Sequence, residues 1–266
     1  MVVDETYAKR DCSEVDAEQI FVLTTGNCKN VYREEKCVYK YQCVDQILSE
    51  ILETYFERTK ENVMKSVKKE FVKIIAIYSP IHRVGKTSFA IAFGKELAKF
   101  KKVLYLNMEE YFGYGEMFEQ IDNGNLGDAL YYTKQENSNF GLRLRMLVRT
   151  IDELDYIPPM PVSLDLKEVL WEEWKVLFKQ IVEDSVYEVI LLDIGESVQG
   201  LLKMLDLCDR IYMPVLEDDV SQEKLRQYEE NLQRLQLERL MEKTYMFIGL
   251  QDIENKMRQL VKEEVL

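Results

Sequence analysis

The pattern of apolar and polar residues along this chain changes near residue 71. Before that point, two short β-branched and aromatic runs, residues 20–24 and 37–42, precede an amphipathic helix predicted from Val44 to Phe56. After it, apolar runs typical of buried strands alternate with helical patterns. This alternation predicts an α/β fold with a mostly parallel sheet flanked by helices.

Beyond residue 71 the predicted strands and helices follow one another in turn. Strands are expected at residues 74–78, 103–107, 186–194, 209–215 and 244–250. Helices are expected from Lys86 onward and at residues 125–150 with one interruption, 165–183, 220–241 and 252–261. Residues 156–161 include three prolines and are expected to break regular structure. Glu263 and Glu264 oppose the basic face that a lipid-binding helix needs, so the last helix is predicted to complete the core.

The segment from Ile74 to Ser88 places an apolar strand, a short loop and Gly-Lys-Thr before a helix. In a phosphate-binding loop, backbone N–H groups surround the phosphates, a lysine contacts the terminal ones and a hydroxyl contacts Mg²⁺. We therefore predict that Lys86 binds the β- and γ-phosphates of ATP or ADP and that Thr87 binds Mg²⁺. The alternative is an ordinary turn at a helix start. The predicted nucleotide contacts are Val84, Gly85, Lys86, Thr87 and Ser88.

The first half of this loop departs from the usual sequence G-x-x-x-x-G-K-[ST]. Pro80 stands where the first glycine is expected, and it removes one backbone N–H. His82 and Arg83 adopt positive φ less readily than glycine does. We therefore expect the protein to bind ATP and to hydrolyse it slowly.

Two acidic residues follow predicted strands and are candidates for the chemistry of hydrolysis. Asp193 lies near the end of the apolar strand at residues 186–194, where a carboxylate can hold Mg²⁺ directly or through water. Glu109 follows the strand at residues 103–107 and is a candidate for orienting the attacking water. The alternatives are a strand-end aspartate that caps the next turn and a solvated loop carboxylate.

Composition narrows the class of protein. The 266 residues are 47% hydrophobic and 31% charged, as in folded globular domains. A formal net charge of −13 argues against a surface that tracks nucleic acid, so no specific nucleic-acid partner is expected. No apolar run in the sequence is long enough to span a bilayer. The five cysteines form no C-x-x-C pair and are expected to be reduced, as in a cytoplasmic protein.

Residues 71–266 resemble the deviant Walker A ATPases, the group that includes the septum-site protein MinD and the partition protein ParA. The loop of that group is K-G-G-x-G-K-[ST], and its last part matches Gly85, Lys86 and Thr87. The aspartate that ends its third motif matches Asp193. The resemblance implies a SIMIBI-type P-loop NTPase fold and an ATPase that forms a homodimer with ATP.

Two motifs of that group have changed in this chain. The signature lysine, which in the family reaches the nucleotide of the partner subunit, falls at Ile81, and the D-x-D motif falls at Asn107 and Glu109. Ile81 carries no charge, so activation across a dimer would need another cation. We hypothesise that Arg83 in the same loop supplies it. The alternative is a surface arginine or one that pairs with loop carboxylates.

Within that group the chain is most similar to the TadZ/CpaE-type pilus assembly proteins, which are thought to mark the site of tight-adherence pilus assembly. The similarity lies in the loop S-P-x-x-R-x-G-K-T, in L-Y-L-N-x-E at the second strand, and in the segment from Asp206 to Ser221. It implies pilus or secretion machinery proteins as partners. It also implies a cytoplasmic protein, at the inner face of the membrane or the cell pole, with at most peripheral membrane association.

Residues 1–62 resemble the last part of a response-regulator receiver domain, with Lys40 at that family's lysine and Tyr41 at its proline. No phosphorylatable aspartate is identified upstream. We predict a partial receiver-like α/β remnant at residues 1–62 and a P-loop ATPase domain at residues 63–266.

The predicted function is that of a slowly hydrolysing, nucleotide-dependent localisation or assembly factor. The alternative is a degenerate nucleotide-binding scaffold that never hydrolyses ATP. A small-molecule kinase is a weaker third hypothesis, because no second substrate-binding motif and no arginine cluster of a lid follow the loop.

Overall fold

The computed structural model describes residues 1–8, 19–26, 36–42, 47, 50–51, 71–113, 124–135, 140–248 and 253–265. The chain divides into two compact units, residues 1–68 and 69–266. The boundary predicted after residue 62 and the receiver-like character of the first part stay predictions. No helix within the described residues is both long enough and apolar enough to cross a membrane.

The first unit contains a small parallel sheet. Its elements are β1 (Val2–Asp4), α1 (Glu5–Ala8), β2 (Phe21–Thr24) and β3 (Lys36–Tyr39), and the strand order is β1-β2-β3. The sequence predicted β2 and β3, whereas β1 has only 3 residues, too few to show the period of a strand. Of the helix predicted from Val44 to Phe56, the structure describes residues 47, 50 and 51, which are helical.

Polar side chains meet at the carboxyl end of this small sheet. Lys40 donates to Asp4 Oδ2 at 3.0 Å, and its Nζ lies 3.8 Å from Glu5 Oε1. Hydrogen bonds from Thr6, followed by the one from Lys40, lower the pKa of Asp4 to about 2. The resemblance to a receiver domain identifies no phosphorylatable aspartate upstream of Lys40, and the structure places the carboxylates of Asp4 and Glu5 beside this lysine. Cys37 is disulfide-bonded, which corrects the expectation of reduced cysteines at that position.

The second unit is built on a larger sheet. Its strands are β4 (Lys73–Ile77), β5 (Val103–Met108), β6 (Arg149–Ile151), β7 (Leu154–Ile157), β8 (Val189–Ile194), β9 (Arg210–Val215) and β10 (Thr244–Ile248). The 7 strands are arranged in the order β10-β9-β4-β8-β5-β7-β6. All neighbours run parallel except β6, which pairs antiparallel with β7. The predicted α/β fold with a mostly parallel sheet is confirmed.

Helices cover both faces of this sheet. They are α2 (Lys86–Ala98), α3 (Leu126–Thr133), α4 (Phe140–Leu147), α5 (Ser163–Glu168), α6 (Trp171–Asp184), α7 (Leu201–Leu207), α8 (Asp219–Arg234), α9 (Arg239–Glu242) and α10 (Ile253–Val265). α2 and α10 pack on one face, where Phe89 and Phe93 are fully buried. The other helices pack on the opposite face, where Trp174 and Leu177 are fully buried. Because both faces are covered, every residue of β5 and β8 is buried.

Several boundaries differ from the predicted ones; the helix predicted at residues 220–241, for example, is divided into α8, which ends at Arg234, and α9. The break predicted at residues 156–161 begins two residues too early, because β6 and β7 form a hairpin that runs to Ile157. The turn residues of this hairpin, Asp152 and Glu153, have φ of 46° and 67°. The helix predicted at residues 165–183 is interrupted, since the two residues between α5 and α6 are extended.

The last helix completes the core, as predicted. Glu264 of α10 is buried; it accepts a hydrogen bond from Tyr212 Oη at 2.6 Å, pairs with Lys73 and has Arg210 Nε at 3.7 Å. A buried carboxylate without such partners would be strongly destabilising. Glu264 therefore fixes the end of α10 to β4 and β9. The buried apolar residues of this helix include Met257, Leu260 and Val261.

Candidate functional site

The candidate site lies at the carboxyl ends of β4, β8 and β5, three neighbouring strands in the sheet. The chain leaves β4 at Ile77, turns through residues 78–85 and enters α2 at Lys86. Gly85 precedes the helix with φ of 79°, a left-handed conformation that glycine adopts at little cost. In the described part of the chain no side chain caps α2. The uncapped helix N-terminus therefore favours an anion at the loop.

Two apolar side chains hold this loop against the core. Ile81 and Val84 are 3% and 5% exposed and belong to one hydrophobic cluster with Tyr78. Ser79 Oγ accepts a hydrogen bond from the N–H of Ile81 at 3.2 Å, next to Pro80, which has no N–H of its own. Because the Val84 side chain lies in the core, only its backbone is available for the predicted contact with a nucleotide.

Arg83 and His82 form the exposed part of the loop. Arg83 has φ of 60°, a left-handed conformation that costs a residue other than glycine about 1–2 kcal/mol. Its side chain is exposed and has no hydrogen-bond or ion-pair partner among the described residues. His82 Nε2 lies 3.4 Å from Glu196 Oε2, in the loop that follows β8. The histidine, and not Arg83, therefore pairs with a carboxylate of a neighbouring loop.

Lys86 is held by two oxygens at the carboxyl ends of neighbouring strands. Its Nζ lies 2.7 Å from Glu109 Oε1, just after β5, and donates to the carbonyl oxygen of Ile194 at 3.1 Å. The ring centroid of Tyr78 lies 5.8 Å from the same nitrogen. Only 10% of the Lys86 side chain is exposed, so these groups take the place of solvent. The predicted phosphate-binding lysine and Glu109 are thus in direct contact.

Asp193 is fully buried near the end of β8, opposite Asn107 of β5. Its Oδ2 accepts from the Tyr105 hydroxyl at 3.0 Å and lies 3.5 Å from Asn107 Nδ2. Its Oδ1 has no hydrogen-bond partner among the described residues. Burial and the nearby Glu109 charge raise the pKa of Asp193 to about 6, although the Thr87 hydroxyl opposes the shift.

This environment of Asp193 fits a hard cation such as Mg²⁺, which prefers oxygen ligands. Oδ1 is buried without a donor, and the Thr87 hydroxyl is close enough to affect the carboxylate. Within the residues that the structure describes, no group of three or more His, Cys, Asp or Glu side chains is arranged to hold a metal ion. Magnesium at such a site takes its other ligands from water and phosphate oxygens. The ion would therefore be held together with a nucleotide.

The site also contains Tyr105, which falls within the segment L-Y-L-N-x-E but to which the motifs assign no role. Tyr105 lies in the middle of β5, is fully buried and makes the shorter of the two side-chain contacts to Asp193 Oδ2. Its spacing of two from Asn107 places both side chains on one face of the strand. A tyrosine in a strand of leucine and valine was the available signal. The predicted site residues that the structure brings together are Lys86, Thr87, Glu109 and Asp193.

Solved structures with a similar fold include two plasmid partition proteins and one ParA-family ATPase. A plasmid partition protein from Borrelia burgdorferi is 23% identical, with a TM-score of 0.51 over 67% of this chain and 78% of its own. Another plasmid partition protein from that organism, solved with AMPPNP bound, is 22% identical, with a TM-score of 0.52 over 67% and 75%. A ParA-family ATPase from Chlorobium tepidum is 17% identical, with a TM-score of 0.52 over 66% and 73%.

These similarities show that the chain shares the fold of these proteins, in agreement with the α/β fold predicted from the sequence. No protein-family model and no curated protein matches the sequence. Because one fold hosts many functions, the activity of this chain has to be argued from the residues of the site.

Proposed function

We propose that this protein is a nucleotide-dependent ATPase of the MinD/ParA-like class, which binds ATP or ADP with Mg²⁺ and hydrolyses ATP slowly. The observation that carries the proposal is the meeting of Lys86, Glu109 and Asp193 beside the uncapped N-terminus of α2. A lysine next to the positive end of a helix favours a polyphosphate. Thr87 and Asp193 would hold the Mg²⁺, which neutralises phosphate charge when bound. The phosphate contacts are assigned to Gly85, Lys86, Thr87 and Ser88 and to the backbone of Val84.

Glu109 has a different task before and after ATP binds. In the free protein it pairs with Lys86 at 2.7 Å. A terminal phosphate that binds Lys86 replaces this carboxylate, which then orients the attacking water. Water adds to the terminal phosphorus as the bond to the ADP oxygen breaks, the proton lost by the water passes to solvent, and ADP and inorganic phosphate leave. The exchange of partners at Lys86 would thus couple nucleotide binding to the preparation of the water.

The biological role we assign is that of a switch that forms a homodimer with ATP and recruits proteins of the pilus or secretion machinery. The loop S-P-x-x-R-x-G-K-T and the segment L-Y-L-N-x-E support tight-adherence pili as the destination. The switch would act in the cytoplasm, at the inner face of the membrane or the cell pole.

Arg83 is the candidate for the cation that acts across the dimer. It is exposed without a described partner, whereas Ile81, at the position of the family's signature lysine, is buried. Arg83→Ala should therefore slow ATP hydrolysis by the dimer. If the variant releases phosphate at the wild-type rate, Arg83 does not act across the dimer.

Dimerisation on ATP tests the switch. Wild type, Lys86→Ala and Lys95→Ala are compared by size exclusion with light scattering, in ATP with Mg²⁺ and in ADP. Lys95 is the matched control, because it lies on the same helix but pairs with Asp152 at 2.9 Å, away from the loop. We expect ATP to convert wild type and Lys95→Ala to dimers and to leave Lys86→Ala monomeric. Equal masses for all three proteins would contradict the proposal.

A scaffold that binds nucleotide without hydrolysing it is the second candidate. The altered loop favours it, because Pro80 lacks an N–H, Arg83 has φ of 60° and Ile81 carries no charge. Phosphate release at saturating ATP separates the two functions. A scaffold would bind ATP and release no more phosphate than Lys86→Ala does.

A further inference from the structure

A chain of hydrogen bonds runs through the buried side of the candidate site and ends on Asp193. Asn107 Oδ1 accepts from the N–H of Glu109 at 3.0 Å. Asn107 Nδ2 lies 2.9 Å from the Tyr105 hydroxyl oxygen, and that hydroxyl lies 3.0 Å from Asp193 Oδ2. Tyr105, Asn107 and Asp193 are each at most 1% exposed. Solvent therefore competes little with these bonds.

In this series of hydrogen bonds, the donor and the acceptor of each bond are fixed. A backbone N–H only donates, so the atom of Asn107 that faces Glu109 is the amide oxygen, and the other end is the NH₂ group. The NH₂ group also only donates, so the Tyr105 oxygen accepts from it. The one hydroxyl hydrogen of Tyr105 is left to point at Asp193 Oδ2. The backbone after β5 thus determines which oxygen of Asp193 receives a hydrogen bond.

The two carboxylate oxygens of Asp193 therefore have different environments. Oδ2 receives the shorter hydrogen bond from Tyr105 at 3.0 Å and a longer one from Asn107 Nδ2 at 3.5 Å, whereas Oδ1 is buried and receives none from the described residues. A directed bond to one oxygen restrains rotation of the carboxylate, so the position of the other oxygen is also restrained. Outer partners of this kind orient metal-binding carboxylates, and their loss typically lowers metal affinity by about 10–100-fold.

We propose that Tyr105 is a positioning residue that fixes the Asp193 carboxylate and reserves Oδ1 for the Mg²⁺ of a bound nucleotide. The inference rests on the proposed function and adds a residue to its metal site. Tyr105 acts on the metal through Asp193. Loss of its hydroxyl should weaken the contribution of the metal to ATP binding and leave the contacts of Lys86 with phosphate unchanged.

Removal of the hydroxyl tests this role. The affinity for ATP is measured by isothermal titration, once with Mg²⁺ and once with excess EDTA, for wild type, Tyr105→Phe and Tyr187→Phe. Tyr187 is the matched control, a buried tyrosine whose hydroxyl donates to Asp155 Oδ2 at 3.1 Å, outside the site. We expect Tyr105→Phe to bind ATP about tenfold more weakly in Mg²⁺ and as wild type does in EDTA. Tyr187→Phe should match wild type in both.

Four other results are distinguishable, and they contradict either the role of Tyr105 or the proposed function. If Tyr105→Phe binds ATP in Mg²⁺ as tightly as the wild type does, the inference is overturned, because the hydroxyl would be dispensable. An equal loss in Mg²⁺ and EDTA would overturn it too, since Tyr105 would then serve folding or nucleotide contact. If the wild-type protein binds ATP equally well in Mg²⁺ and in EDTA, Asp193 has no role in metal binding. The proposal that the protein binds nucleotide would still stand. Wild-type protein without affinity for ATP would reject the proposed function itself.

Discussion

Glu109→Gln should raise the affinity for ATP and slow its hydrolysis. In the free protein the Glu109 carboxylate lies 2.7 Å from Lys86 Nζ, and the two side chains are only 22% and 10% exposed. ATP binds Lys86 only after this pair separates. Glutamine keeps the size of the side chain and removes its charge, so it competes less strongly with phosphate for the lysine.

The size of the effect follows from the energies of the two hydrogen bonds. A hydrogen bond to a charged group contributes about 1.5–3 kcal/mol. The Glu109–Lys86 pair has two charged partners and belongs at the top of this range, whereas a glutamine bonded to the lysine ammonium has one and belongs at the bottom. The interaction that ATP must replace is therefore weaker by roughly 1.5 kcal/mol in the variant. Since 1.4 kcal/mol is a factor of ten, we expect roughly tenfold tighter binding. Hydrolysis should fall by about a hundredfold or more if the carboxylate orients the water.

Titration with a fluorescent ATP analogue gives the affinity, and phosphate release gives the rate. Glu110→Gln is the matched control, because Glu110 is the adjacent carboxylate but pairs with Lys167 at 3.3 Å. It should leave both quantities unchanged. Glu109→Gln protein that binds no more tightly than wild type would refute the competition between Glu109 and phosphate. Undiminished hydrolysis would refute the role of Glu109 toward water.

Three further predictions concern stability and are measured by denaturant unfolding. Arg83→Gly should raise the free energy of unfolding by about 1 kcal/mol, since glycine relieves the left-handed backbone; an unchanged value would contradict this strain. Glu264→Ala should lower that free energy by about 2–3 kcal/mol through loss of charged hydrogen bonds, while Glu263→Ala, at an exposed position, should not. The pKa of Asp193 is raised from 3.8 to about 6 in the folded protein, so the folded state holds this proton more tightly and the wild type loses stability as pH rises between these values. Asp193→Asn should not show that loss, and near pH 8 its free energy of unfolding should exceed that of the wild type by about 3 kcal/mol. If the stability of the variant depends on pH as that of the wild type does, the raised pKa is contradicted.

The contiguous part of the site was predictable, whereas contacts between distant residues were not. The strand, loop and helix from Ile74 to Ser88 are specified by residue order alone, and Asp193 was found because it lies near the end of an apolar strand. The bond between Tyr105 and Asp193 joins residues 88 positions apart. It depends on β5 lying beside β8, and periodicity does not determine which strands are neighbours.

Two other differences between the predicted and the observed structure are explained by single residues. The family motif marks Ile81 only as the position of a missing lysine, although its apolar side chain favours burial in the core, where the structure places it. The hairpin of β6 and β7 was missed because Asp152 and Glu153 occupy its turn, in place of the Asn-Gly or Asp-Gly pairs that mark such turns.

The position of α10 affects how the protein is made. This helix follows every other described element in the chain, yet it covers α2, the helix that begins at the phosphate-binding loop. On the ribosome, the apolar face that includes Phe89 and Phe93 stays without this cover until α10 has been synthesised. Nascent chains that expose such a face are prone to aggregate. The yield of folded protein in a cell should therefore depend on chaperones that protect this face during translation.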